Sequence, residues 1–368
     1  MTSRDIVSVP RDKAGAIDAV DLFCGTGGLT HGLVRGGIRV VAGVDVDSDC
    51  RFAYETNNEA TFVEKNIRDI RSADLAELFG SSRVRLLAGC APCQPFSTYS
   101  RKQRKGKKRS DPKWDLVLDF GRLVVDSQPE LVTMENVSQL PDDPVFKVFL
   151  RALVGYHVWW KLVDCAGYGV PQTRKRMVLL ASKFGPISLR EPDGADRATV
   201  RAAIGHLPSI PAGGHDKHDR MHAACSLSPL NTRRIEASVP GGTWRDWDRK
   251  LLAGCHRKKT GATYPSVYGR MEWDAPSPTI TTQCFGFGNG RFGHPEQDRA
   301  ISLREAALLQ TFPENYQFVP NDAPIRFNTL GRLIGNAVPV KLGEAIAESL
   351  VAHVAAMASK TTGVTVRS

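Results

Sequence analysis

Apolar positions fall into short runs separated by glycine turns and helically spaced stretches, a rhythm that predicts alternating strands and helices. Ala19 to Phe23 forms a first short strand, Gly25-Thr26-Gly27-Gly28 breaks it, and Leu29 to Arg35 has helical spacing. Val40 to Val44 is a second strand ending at Asp45, Thr61 to Val63 a third, and Arg83 to Ala88 a fourth. Leu116 to Val125 reads as a helix, Leu131 to Met134 as a fifth strand, and Met177 to Ala181 as another. Alternation of this kind through residue 186 predicts an α/β fold with a doubly wound sheet. From residue 187 to 298 the helical periodicity lapses into a texture rich in Gly, Pro, His, Arg and Trp, which predicts a second, irregular domain. Helical spacing returns at Leu303 to Leu309 and from about Val340 to Ala355.

Composition adds little until charge is considered. With 368 residues, 42% hydrophobic and 24% charged, the chain is long enough for a large domain and a smaller one with ample core. No run reaches membrane-spanning length, the polar start from Met1 to Ala14 lacks a signal-peptide core, and the eight cysteines have no regular spacing. These features predict a soluble protein of a reducing, intracellular compartment with no membrane association. The net charge of +10 suggests a polyanionic partner. Arg101, Lys102, Arg104, Lys105, Lys107, Lys108, Arg109 and Lys113 crowd one segment against a single acid, Asp111, as a loop meeting a phosphate backbone would.

That basic run follows a turn that carries candidate chemistry. Gly89, Pro92 and Pro95 force a break after the fourth strand, and the break presents the thiols of Cys90 and Cys93. The spacing admits a redox pair, half of a zinc site, or one catalytic nucleophile at Cys93 with Cys90 as packing. No other Cys-x-x-Cys occurs to complete a zinc site, and no metal is expected. The turn after the first strand has the form of a ligand cradle at a helix N-terminus, but Thr30 stands where the dinucleotide fingerprint needs glycine. Asp45, at the tip of the second strand, is placed either for ribose hydroxyls or as a helix cap. Glu135 ends the fifth strand on the rim of a parallel sheet, and alternation puts Gln172, Arg174 and Arg176 on one face. Trp244, Trp247, Trp273, Tyr264 and Tyr268 among arginines suit either a nucleic-acid surface or a small core. His215, His218, His222 and Cys225 match no standard metal spacing.

Taken in order, these segments resemble the cytosine-5 DNA methyltransferases. Asp21-Leu22-Phe23-Cys24-Gly25-Thr26-Gly27-Gly28 is similar to the family's cofactor motif, and Pro92-Cys93-Gln94 with Phe96-Ser97 to its nucleophile motif. Glu135-Asn136-Val137 and Gln172-x-Arg174-x-Arg176 resemble the two motifs that hold the base. Arg304-Glu305 with Gln310-Thr311-Phe312-Pro313, then Gly335-Asn336-Ala337-Val338-Pro339, resemble the last two. The resemblance covers nearly the whole chain. It implies the mostly parallel S-adenosylmethionine-dependent methyltransferase fold, with 1–186 and 328–368 forming the catalytic domain and 187–327 a target-recognition domain.

The resemblance further implies transfer of a methyl group from S-adenosylmethionine to C5 of a cytosine flipped out of a specific duplex sequence. Cys93 would add to C6, Glu135 would act at N3, and Arg176, with Arg174 nearby, would contact the O2 edge and orient Glu135. Phe23, Gly25, Gly27, Asp45, Val46, Asn66 (where the family usually has Asp), Leu116, Asn336 and Val338 would line the cofactor pocket. Gln172, Thr279 and a closing loop from Tyr99 to Lys113, including Arg101, Lys102 and Arg104, would meet DNA. A monomer in the cytoplasm, held at the nucleoid through DNA, is expected, protecting DNA in a restriction–modification system beside a separate cognate restriction endonuclease that acts on the same site. Rival expectations are a tRNA-directed relative, whose Cys-Phe-Thr signature is lacking here, a thiol–disulfide oxidoreductase, and a non-catalytic DNA-binding regulator.

Overall fold

Nine strands can be followed in the computed structural model, which describes residues 17–92, 115–192, 194, 197–258 and 264–363. They are β1 (Ile17–Leu22), β2 (Arg39–Asp45), β3 (Thr61–Glu64), β4 (Val84–Gly89), β5 (Leu131–Val137), β6 (His157–Asp164), β7 (Gln172–Thr173), β8 (Lys175–Ser182) and β9 (Ser277–Pro278). The helices among these residues are α1 (Gly28–Arg35), α2 (Arg51–Asn57), α3 (Ser72–Phe79), α4 (Asp115–Ser127), α5 (Pro144–Arg151), α6 (Val200–Ile204), α7 (Pro229–Glu236), α8 (Leu303–Leu309), α9 (Phe327–Asn336) and α10 (Val340–Gly363). Two compact units result, one of residues 1–164, 175–193 and 338–368, the other of 165–174 and 194–337.

In the first unit, seven strands form one sheet in the order β3-β2-β1-β4-β5-β8-β6. Neighbours from β3 to β5 are parallel, and β8 runs antiparallel to both β5 and β6. The expected mixed α/β class with a mostly parallel sheet is what these strands build. Every residue of β1 is buried, and β4 and β5 are nearly so, which is why they read as apolar runs. Strand order reverses between β1 and β4, so right-handed crossovers place α1 and α2 on one face and α3 on the other. Helix α4 stacks on α5 through Phe120 and Phe149, with ring centroids 5.4 Å apart. Helix α1 packs against α10, where Arg35 pairs with Glu344. The edge strand β6 was not expected: its apolar residues Val158, Trp159, Trp160 and Leu162 are left exposed or half-buried, and only Val163 along it is buried.

The second unit has little regular structure, and its carbonyls therefore need partners outside a ladder. Buried arginines supply them. Arg270 donates to the carbonyls of Ile235, Ser238, His294 and Gln297. Arg299 donates to Ile210 O and grips both oxygens of Glu305 at 2.7 Å. Arg304 bonds Asp219 and Tyr316 O. Trp244 and Trp247 lie in a core with Ile235, Phe287 and Ala300, so of the two readings for these tryptophans the core is observed. Both ring nitrogens of His222 are bonded, to Ser302 Oγ and Pro208 O, at 2.8 Å each. Among the described residues no group of three potential ligands could hold a metal ion.

The division of the chain differs from boundaries at 186/187 and 327/328. Arg190 donates its amide to Ser349 Oγ and pairs with Glu348 at 2.6 Å, holding that segment to α10. Residues 165–174 instead reach β9 through β7, and α9 packs on α8.

Candidate active site

The parallel strands present their C-terminal ends around the point where strand order reverses, which is where sheets of this kind bind ligands. On leaving β1 the backbone takes left-handed values at Phe23 (φ 58), Gly25 (φ 51) and Gly27 (φ 88). Glycine adopts these without cost, but Phe23 is strained there. The strained turn is fastened to β2: Cys24 donates to Val44 O at 3.2 Å, and Gly25 N to Asp45 Oδ2 at 2.8 Å. The other oxygen of Asp45 accepts the amide of Asp47 at 3.0 Å. Burial raises the Asp45 pKa above the ordinary aspartate value.

Beside this turn Val46 is 68% exposed, an apolar side chain left uncovered at the strand tip. Asn66 is exposed and accepts the amide of Arg68 at 3.1 Å. Leu116 is half-buried against the first unit's core, and Val338 is buried in that unit. Asn336 is exposed at the end of α9 in the second unit. Thr30, the residue that departs from the dinucleotide fingerprint, has a positive task. Its hydroxyl donates to Asp21 Oδ2 at 2.7 Å and lies 3.1 Å from Tyr54 OH. Asp21 is fully buried, and burial above all raises its pKa to about 7.

A second cluster forms where β4, β5 and β8 meet. Glu135 is 2% exposed, and its Oε1 lies 2.9 Å from Arg176 Nε. Its Oε2 accepts the thiol of Cys90 at 2.9 Å. The chain leaving β4 is pinned on both sides: Cys90 N donates to Leu22 O at 3.3 Å, and Asn136 Nδ2 to Ala91 O at 3.0 Å. Cys93, Arg101, Lys102 and Arg104, with the rest of the Tyr99 to Lys113 loop, lie outside the described residues.

The alternation expected to align Gln172, Arg174 and Arg176 is interrupted, because β7 ends at Thr173 and β8 begins at Lys175. Gln172, expected at DNA, is instead fully buried in the second unit. Its amide donates to Leu309 O and Gln310 Oε1, both at 2.7 Å, and accepts from Ile280 N at 2.9 Å. Arg174 is likewise buried there, with Nη1 donating to Ile280 O at 3.0 Å and Nη2 to Ala337 O at 3.4 Å. Those guanidinium bonds brace the backbone, a different task from the base contact expected of Arg174. Thr279 donates to Thr173 O at 3.0 Å. Sequence reasoning missed the Cys90 bond to Glu135 and the Asn136 bond to Ala91, since neither spacing nor periodicity brings β4 beside β5.

The description "C-5 cytosine-specific DNA methylase" belongs to a family pattern that matches residues 17–352. The Type II methylase M.HgiDII of Herpetosiphon aurantiacus is 52% identical over 338 residues, covering 90% of this chain and 94% of that one. The Type II methyltransferase M1.HphI of Haemophilus parahaemolyticus is 29% identical, covering 90% and 86%. Among solved structures, a DNA modification methyltransferase encoded within an E. coli prophage superposes with a TM-score of 0.68 at 21% identity, covering 91% of this chain and 98% of that one. Spodoptera frugiperda DNMT2 superposes with a TM-score of 0.63 at 17% identity, covering 91% and 99%. These two likenesses show a shared fold.

Proposed function

Because the chain belongs to the C-5 cytosine-specific DNA methylases, we propose that it methylates a cytosine flipped out of duplex DNA within one specific sequence. It is a DNA cytosine-5-methyltransferase, and the reading concerns how its residues share the work. The observation that carries it is the buried Glu135 carboxylate clamped by Arg176 at the rim of the sheet. Cytosine C5 is a poor nucleophile until a group adds at C6. The Cys93 thiolate makes that addition while Glu135 delivers a proton to N3, so the ring gains a carbon–sulfur bond without accumulating charge. Arg176 holds the Glu135 carboxylate and faces the O2 edge. After methylation the C5 proton passes to solvent and the N3 proton returns to Glu135, which restores the double bond and expels the Cys93 thiolate.

S-adenosylmethionine is the methyl donor in this reading, and when bound it supplies an electrophilic methyl group. The residues fit it: Val46 offers an uncovered apolar surface for adenine, and Asp45 stands beside it for ribose hydroxyls. The turn from Phe23 to Gly27 brings backbone close to a ligand, with Asn66, Leu116 and Val338 of the same unit as further lining.

Residues 194–327 of the second unit, with Thr279 among them, read the target sequence, while Arg101, Lys102 and Arg104 contact phosphates. The Type II names of the relatives support a restriction–modification setting, with a separate endonuclease cutting the same site. Among the described residues no helix is long and apolar enough to cross a membrane. A monomer acting on DNA in the cytoplasm completes the proposal.

Bisulfite sequencing of DNA from cells expressing the chain tests it. One sequence should be protected from conversion with the wild type and not with Cys93→Ala. Methylation of tRNA without methylation of duplex DNA would overturn the choice of substrate.

A further inference from the structure

We propose that Cys90 is a positioning residue for methyl transfer, fixing the plane of the Glu135 carboxylate through its thiol. The inference rests on the reading of Glu135 as the acid that serves the base, and it gives a task to a thiol that this reading leaves unused.

The terminal torsion of a glutamate is broad, so a single partner on one oxygen leaves the carboxylate free to swing about that contact. Glu135 has a cation beside one oxygen and a hydrogen-bond donor on the other, so Cys90 supplies the directional contact. Arg176 Nε lies 2.9 Å from Oε1, and Cys90 Sγ lies 2.9 Å from Oε2. The two groups come from different strand ends, β8 and the exit of β4, so they bracket the carboxylate. A bracket works only if its arms are fixed, and both are. Cys90 N is bonded to Leu22 O and the next residue, Ala91, to Asn136 Nδ2. Arg176 sits in a register that pairs it with Val137 on β5 and Val163 on β6.

The same fastening links the nucleophile segment to the acid. Cys93 follows Cys90 by three residues, and the strand that carries Glu135 also carries Asn136, which holds Ala91. The Cys-x-x-Cys spacing is therefore a division of labour, with Cys93 on the base and Cys90 on the acid. A serine at 90 keeps a donor on a slightly shorter arm, whereas alanine removes it.

Single-turnover methyl transfer by the full chain on its duplex target tests this with Cys90→Ala, Cys90→Ser and Glu135→Gln. Cys90→Ala should lower the transfer rate roughly 10- to 100-fold with little change in KM for DNA, as expected for a misplaced reacting group. Cys90→Ser should recover to within about threefold of wild type, since one uncharged donor to the carboxylate replaces another. In the Glu135→Gln background Cys90→Ala should cost nothing further, because the two residues act as one unit. Wild-type transfer by Cys90→Ala, or equal losses in both backgrounds, overturns the role of Cys90. Full transfer by Glu135→Gln instead overturns the reading of Glu135. If Cys90→Ala does not fold, Cys90→Val supplies a folded side chain without a donor, and the same comparison with serine decides.

Discussion

Tyr54 occupies the space that a side chain on Gly43 would need: a Cβ there would lie 2.3 Å from Cζ of the phenol and 2.4 Å from its oxygen. Gly43 is in β2, two residues before Asp45, and the Tyr54 hydroxyl reaches Thr30 on α1. A missing side chain in a strand therefore leaves room for a phenol beneath the glycine turn. Gly43→Ala should destabilise the protein by about 1–3 kcal/mol through overpacking. Urea unfolding measures this, and an unchanged midpoint would show that Tyr54 can move aside.

Asp21 makes stability depend on pH. Its folded pKa is raised to about 7 from an ordinary 3.8. The folded state thus binds a proton that the unfolded state releases between those values. The stability this group contributes is fully present below about pH 4 and is lost as pH rises through 7. The slope is at most about 1.4 kcal/mol per pH unit for one proton. Burial lowers the His294 pKa to about 4, which acts in the opposite direction over part of the same range. The difference between wild type and Asp21→Asn isolates the aspartate. It should fall with rising pH from 4 to 7, and a flat difference would reject the shift.

The second unit depends on a buried ion pair. Removing the charge of Glu305 strands Arg299, which is fully buried, without its carboxylate. Glu305→Ala should cost about 3–5 kcal/mol, as loss of one partner of a buried pair does. Tryptophan fluorescence follows the change, because Trp244 and Trp247 lie in that unit's core.

Asp45 serves the cofactor in the proposed function and also holds Gly25 N. Asp45→Ala should weaken S-adenosylmethionine binding roughly 10- to 100-fold by calorimetry, since a charged acceptor is lost. Binding of the duplex in the absence of cofactor should be unaffected. Wild-type cofactor affinity would remove Asp45 from the pocket.

The parts of the fold legible in the sequence share one physical property. Strands β1, β2, β4 and β5 lie in the middle of the sheet or close to it, so burial writes itself as apolar runs. In the edge strand β6 the apolar run Val158-Trp159-Trp160 is broken by Lys161 and mostly exposed, so apolarity and burial part company there, and the reversed direction of β8 leaves no trace in any periodicity. Glu135 and Arg176 could be singled out because their residue types at strand ends limit what they do. Gln172 and Arg174 could not be placed, because a polar side chain bonded to backbone carbonyls has the same sequence signature as one turned toward a ligand.

The pairing of α1 with α10 bears on how the chain comes off the ribosome. Arg35 meets Glu344, 309 residues later, and β7 waits for β9, about a hundred residues downstream of it. A nascent chain that has emerged through β8 already holds all seven strands of the sheet, yet α1 still lacks the helix that covers it. That exposed flank must stay in solution while most of the second unit is being translated, so slow synthesis across residues 194–337 lengthens the interval in which this protein is open to aggregation or chaperone capture.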